Sequence, residues 1–180
     1  MTVTASSTHG TVVTTEFDAP VRRRARARWR SAALLATTMV AAATLATVAG
    51  ALVVSARDVW FDNLQRPGWV PTAWGFLIAA TVVYATLGLA GWRIWVRGPG
   101  SVALTCWLVL LGLHLAWTVL FFGLWVPRWS LVGAAALGLM AIVTLVAASR
   151  TTRLGAWLLV PDLAWVGYLI AVNAVIVAWN

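Results

Sequence analysis

The chain has 180 residues, 62% of them hydrophobic and only 10% charged, and its mean hydropathy is +0.88. A soluble domain of this length needs a polar surface that so few polar residues cannot cover, which excludes that class and leaves hydrocarbon as the solvent of the exterior. The net charge of +8 does not signal nucleic acid, because all thirteen basic residues are arginine and six of them stand just before the first apolar stretch, where they face anionic lipid and fix topology.

Residues 1–28 are rich in Ser, Thr and Arg and carry no hydrophobic period, so they are expected to form a disordered tail on the cytoplasmic side. Their Arg-rich, acid-poor composition also fits a transit peptide, and that reading stays open. Residues 29–180 are expected to form one membrane domain. Apolar stretches at about 31–55, 74–96, 102–124, 130–149 and 154–179 each approach the ~20 residues that a span requires. The first exceeds the ~7–15 residues of a signal-peptide core, so it reads as a retained span. The expected fold class is therefore an all-α membrane protein, a five-transmembrane-helix bundle.

The breaks between spans are chemically plain: Arg57 to Pro71 with its charges and prolines, Arg97-Gly-Pro-Gly100, Pro127-Arg128, and Arg150 to Arg153. With the amino terminus in the cytoplasm, ten arginines lie inside: Arg22, Arg23, Arg24, Arg26, Arg28, Arg30, Arg93, Arg97, Arg150 and Arg153. Three lie outside: Arg57, Arg66 and Arg128. The positive-inside rule favours this orientation and places the carboxyl terminus outside. The expected location is a bacterial cell membrane.

Most of the thirteen tryptophans sit near span ends, where an interfacial aromatic belt is expected. Trp107, Trp117 and Trp165 lie deep within spans, where an indole N–H prefers a partner in the bundle interior. Helical spacing puts His114, Trp117, Thr118, Phe121 and Trp125 on one face of span three, with Trp107 off it. It puts Asp162, Leu169, Asn173 and Asn180 on a stripe of span five with Trp165 at its shoulder. Leu77, Ala80, Thr81, Tyr84, Gly88 and Gly91 group on span two, and all three faces are expected to point inward. His114 and Asp162 are ionisable groups inside spans. For His114 a neutral core histidine is preferred to a metalloporphyrin ligand. Asp162 is either solvated near the interface or functional. Cys106 reads as a small buried hydrophobe. No catalytic constellation or metal-ligating cluster is visible.

The run Trp60-Phe-Asp-Asn-Leu64-Gln-Arg66-Pro67-Gly-Trp69-Val-Pro71 resembles the first-loop signature of the tryptophan-rich sensory protein/translocator protein (TspO) family, also known as the peripheral-type benzodiazepine receptor family. Phe76 and Tyr84 match its second span. Leu113-His114-Leu-Ala-Trp117-Thr118-Val-Leu-Phe121-Phe122 is similar to its third, and Pro161-Asp162-Leu-Ala-Trp165 with Asn173 and Asn180 to its fifth. The resemblance implies a five-helix bundle with an internal pocket near the first loop, porphyrin or haem as ligand without an obligatory cofactor, and frequent dimerisation. Five positions depart from the family pattern: Thr72 for proline, Ala80 for tryptophan, His114 for asparagine, Thr118 for serine and Asp162 for tyrosine. Light-dependent porphyrin breakdown in relatives is linked to tryptophans at the positions of Ala80 and Trp165, and only Trp165 is present here.

The expected activity is membrane tetrapyrrole binding with a sequestration, transport or stress-sensing role. Trp69, Tyr84, His114, Trp117, Thr118, Phe121, Trp165 and Asn173 are the expected ligand-binding residues. The alternative is a light-dependent porphyrin-degrading enzyme using Trp165; the five unequal spans lack the paired repeats of a common alternating-access transporter. Ala42, Ala46 and Gly50 form one small-residue ladder and Gly112 with Ala116 another. The second, on span three, is the expected homodimer contact because the family dimerises there.

Overall fold

The structure is a computed structural model that describes residues 18–180. Its long elements are helices: α1 (Asp18–Arg57), α2 (Ala73–Arg97), α3 (Val102–Thr118), α4 (Pro127–Thr151), α5 (Arg153–Trp157) and α6 (Val160–Trp179). A 3-10 turn at Phe61–Asn63 lies in the first loop, and a π turn at Val119–Gly123 extends α3. Five segments are long and apolar enough to span a bilayer: Arg23–Arg57, Trp74–Arg97, Val102–Gly123, Pro127–Thr151 and Arg153–Trp179. The five expected spans are thus present, with two differences of detail. The fifth is broken between α5 and α6, where Leu158 and Leu159 form a turn ahead of Pro161, whose ring cannot continue a helix interior. The first begins far earlier than expected. Residues 18–28 of the anticipated tail are the start of α1, while the rest of that tail lies outside the described residues.

Each helix start has a local cause. Thr72, Ser101 and Thr152 are N-caps whose side chains accept from the backbone N–H of Gly75, Leu104 and Gly155, and Pro127 occupies the first turn of α4. Packing then pairs α1 with α2, α3 with α4, and α4 with α6, and α2 also meets α5 and α6. Small residues set the closest approaches. A β-carbon at Gly88 would fall 3.0 Å from Ala42 Cβ, so the ladder of Ala42 and its neighbours is used within the chain, against α2, and is not free for a second copy. A β-carbon at Gly91 would overlap the Trp107 ring, whose Nε1 donates to the Leu87 carbonyl at 2.9 Å. Trp107 is 1% exposed and lies seven residues from His114 on the same buried stripe, not off it as expected. Two heptad-spaced residues share a face, and depth alone separates them.

The loops confirm the alternation of ends. Trp60 of the first loop stacks on Trp125 of the third (6.3 Å, 8°), and Asn180 accepts from Gln65 N at 3.0 Å and donates to Gln65 O at 3.2 Å. Gly98 lies against Thr151 at the opposite end. Trp125 leaves the face of His114 because the π turn ends at Gly123 and the chain reverses. Its φ of 57° is left-handed, an unfavourable conformation for a bulky residue. The Trp60 stack and a bond from Trp125 Nε1 to Phe122 O (2.9 Å) hold it there.

Candidate functional site

Three of the expected faces meet in the bundle interior. His114 and Asp162 are both fully buried, and His114 Nε2 lies 2.9 Å from Asp162 Oδ1. This links α3 to α6 across the bundle. Asp162 is enclosed by the bundle and set against His114, so it is not solvated. The interfacial reading of Asp162 is therefore set aside. It also occupies the first turn of α6, where backbone N–H groups lack partners within the helix. An ionised Asp162 accepts only, so the proton of the contact then sits on His114 Nε2.

The ring of Tyr84 stands at 90° to that of His114, with centroids 5.4 Å apart. Thr118 donates back to the His114 carbonyl at 2.8 Å, so its hydroxyl hydrogen is already committed to its own helix. Asn173 is fully buried, and its Oδ1 lies 2.8 Å from Ser130 Oγ of α4, which is also 2.8 Å from the Pro127 carbonyl. One hydroxyl hydrogen cannot serve two acceptors; turning the Asn173 amide over lets its NH2 donate to Ser130 while Ser130 donates to Pro127. Several buried polar atoms have no protein partner: His114 Nδ1, Asp162 Oδ2 and Trp117 Nε1, together with Tyr168 Oη. Such atoms are costly in a low-dielectric interior and are natural contacts for a polar guest.

Above this polar level runs a continuous aromatic chain. Trp69, half exposed in the first loop, meets Tyr168 edge-on at 5.9 Å, and Tyr168 stacks on Trp165 at 5.4 Å. Trp165 touches Phe76 at 4.9 Å, and Phe76 meets Phe122. Phe122 joins the stacked pair Trp117–Phe121 (5.4 Å, 12°), which ends against Trp60. Seven of the eight expected ligand-binding residues thus belong to one region, and Asn173 is bonded instead to Ser130 of α4. They are tightly packed: Trp165 is 8% exposed, and Tyr84, His114, Trp117, Thr118, Phe121 and Asn173 are 3% or less. Cavities of about 530 Å³ and 480 Å³ flank them at the loop end, walled by Arg57, Leu64, Arg66 and Trp74 in one case and by Trp60, Trp125 and Asn180 in the other.

Two expectations fail here. Thr81 is exposed and bonds its own helix at the Leu77 carbonyl, so it is not part of the interior face. Asn180 serves the first loop and not the buried stripe. The sequence reading also missed Ser130, Phe122 and Tyr168. It noted His114 and Asp162 singly without joining them, although ionisable groups inside a bundle commonly pair with one another.

The fold and this interior define a class: a multi-pass helical membrane protein with five spans and an aromatic interior closed around a buried polar pair. Residues 35–179 match the TspO/MBR family model, and the chain belongs to that family. It is similar to the tryptophan-rich sensory protein of Cereibacter sphaeroides, 30% identical over 145 residues, or 79% of this chain and 90% of the relative. It is also similar to the translocator protein of Sus scrofa, 33% identical over 119 residues (63% and 70%), and to the tryptophan-rich protein TspO of Chlorobaculum tepidum, 28% identical over 125 residues (67% and 79%). Two of the departures from the family pattern, His114 for asparagine and Asp162 for tyrosine, are bonded partners.

Proposed function

We propose that this protein binds a tetrapyrrole, porphyrin or haem, in the membrane and serves sequestration, transport or stress sensing. The observation that carries the reading is the unbroken aromatic chain from Trp69 at the loop to Trp117 and Phe121, lying over unpartnered polar atoms of His114, Asp162 and Trp117. A flat, largely apolar macrocycle suits indole and phenyl faces, and its polar edge suits those atoms. Because the interior is closed, binding requires the first loop and its Trp69–Tyr168 contact to move aside. Span three, where Gly112 and Ala116 are exposed, is the proposed contact of a homodimer.

Titration of the purified protein with protoporphyrin and with haem, in the dark, tests the reading through absorbance and tryptophan fluorescence. Binding gives a shifted Soret band and saturable quenching; linear quenching with an unshifted band would sink the reading. The same samples under light test the alternative, a porphyrin-degrading enzyme. It draws support from the Trp165–Tyr168 stack, an oxidisable pair at the edge of the interior. Loss of porphyrin with growth of a new chromophore would favour it. Ala80, in place of the second tryptophan, favours a spectral shift without turnover.

A further inference from the structure

At the end of the bundle opposite the aromatic interior, α1 and α2 lie side by side. Trp92 Nε1 donates to the Ser31 carbonyl at 3.0 Å and lies 3.2 Å from its hydroxyl, which fastens the two helices at that level. Beside that clamp, with Ser31 in its wall, a crevice of about 480 Å³ opens, lined also by Ala27, Arg30 and Leu34 of α1 and by Trp95, Val96 and Pro99. Its walls are mostly hydrocarbon, and a single guanidinium, that of Arg30, stands among them. Residues 23–30 are all exposed, so α1 carries its arginines past the crevice without a protein partner among the described residues.

The extension itself needs explaining. Helix α1 has 40 residues, about 60 Å at 1.5 Å per residue, against about 30 Å of hydrocarbon. Its first turns therefore stand in the headgroup layer and beyond. Arg24/Arg28 and Arg26/Arg30 are like-charge pairs four residues apart, each of which disfavours a helix in water. An adjacent anionic surface removes that penalty. Arg23, Arg26 and Arg30 lie along one side of the helix at three- and four-residue spacing, and Arg30 ends that row at the crevice. These arginines precede the family-matched segment, residues 35–179, and the crevice is separate from the interior site.

We infer that the α1–α2 crevice is a binding site for an anionic glycerophospholipid, whose phosphate is held by Arg30 and Arg26 while an acyl chain lies along Leu34, Trp95 and Val96. Charge complementarity and the interfacial indole of Trp95 select a lipid over a soluble anion, because a free phosphate leaves the apolar walls unfilled. An RNA fits less well, since the arginines lead into a hydrocarbon-lined crevice and not along an open groove.

Native mass spectrometry of the full chain in detergent tests this, with phosphatidylglycerol and phosphatidylcholine of identical acyl chains as probes. Phosphatidylglycerol should add first, as one tightly retained copy. Arg30→Gln should weaken its retention about fivefold, the equivalent of about 1 kcal/mol for one arginine at a surface. Trp95→Ala should weaken both lipids alike, and Arg128→Gln, at the other end, should change neither. Arg30 is exposed, so its loss leaves the fold intact and the comparison valid. Equal retention of the two lipids, or a preference indifferent to Arg30→Gln, would overturn the proposal. Displacement of the lipid by inorganic phosphate would reassign the site to a soluble anion, and displacement by homopolymeric RNA would reassign it to nucleic acid; either result also overturns it.

Discussion

The seam that α2 makes with α1 and α3 and the link between α3 and α6 hold helices together by opposite chemistry. Along the seam, Ala42 of α1 meets Gly88 and the Trp107 ring of α3 covers Gly91, with the Trp107 N–H satisfied by the Leu87 carbonyl. Nothing polar is left over, and dispersion between closely approached backbones does the holding. Across the interior, His114 and Asp162 make one good contact and leave Nδ1 and Oδ2 without partners. The first arrangement favours stability. The second gives up some stability and keeps polar capacity in reserve, as binding interiors do.

That contrast can be broken at either side. The largest effect should come from the seam: Trp107→Ala removes a fully buried indole and should destabilise the protein by about 3–5 kcal/mol. At a temperature where the variant stays folded, its porphyrin affinity should match that of the unmodified protein. Thermal unfolding in detergent and a titration, run side by side, decide this; a clear loss of affinity would place Trp107 in the site. Next, Asp162→Ala leaves His114 buried without its partner and should lower stability by about 3 kcal/mol. Replacing both residues by leucine should restore much of it, because an apolar pair leaves nothing unpaired. If the double replacement is as unstable as the sum of the singles, the pair is not coupled.

The interior side is sharpened by Trp165. Loss of its stacking in Trp165→Ala should weaken porphyrin binding by about 0.5–1.5 kcal/mol beyond lost area, several-fold to tenfold, and Trp165→Phe should be mild. Equal losses at Trp107 and Trp165 would erase the distinction drawn here. Ala80→Trp is the matching gain-of-function test for photodegradation. Ala80 is 3% exposed, so an indole there must first open the packing; partial activity should come with a lowered unfolding temperature. The smallest effect belongs to the loop. Hydrogen bonds from the Arg57 guanidinium at 2.8 and 3.0 Å hold the Asp58 carboxyl below its ordinary pKa. Such a contribution is present above the unfolded-state value and fades as pH falls through the depressed one. Arg57→Gln should therefore raise the Asp58 midpoint in a carboxyl NMR titration while leaving neutral-pH stability alone, since both groups are solvent-screened. An unmoved midpoint would remove that ion pair from the account.

The five spans were legible because hydrocarbon thickness fixes their length and arginine or proline marks their ends. Helical period likewise found Tyr84, His114, Trp117, Thr118 and Phe121 on inward faces. It failed at Trp107, where depth along a stripe mattered and angle did not. It failed at Thr81, whose hydroxyl satisfies itself on the preceding turn and so tolerates an outward position. The His114–Asp162 contact was beyond periodicity altogether, because faces of separate helices carry no information about their mutual height. Charge along α1 was visible from the start. That a helix would carry it so far beyond the bilayer was not, since like-charge spacing argues against helix in water.

The π turn at Val119–Gly123 has one more consequence. Leu124 N reaches back to Val119 O at 2.8 Å, five residues away, so this segment is an α-helix with one residue inserted. It carries Phe121 and Phe122, both buried, at 1% and 2% exposure; in a regular helix, neighbours diverge by about 100°. Removing any one residue here would regularise the helix and swing everything after it, Trp125 and the chain reversal included, by about one residue's rotation. Insertions and deletions, which a loop absorbs, are therefore excluded from this short stretch even where the exposed positions Val119 and Gly123 accept exchange. Among relatives, gaps should collect on either side of it and not within it.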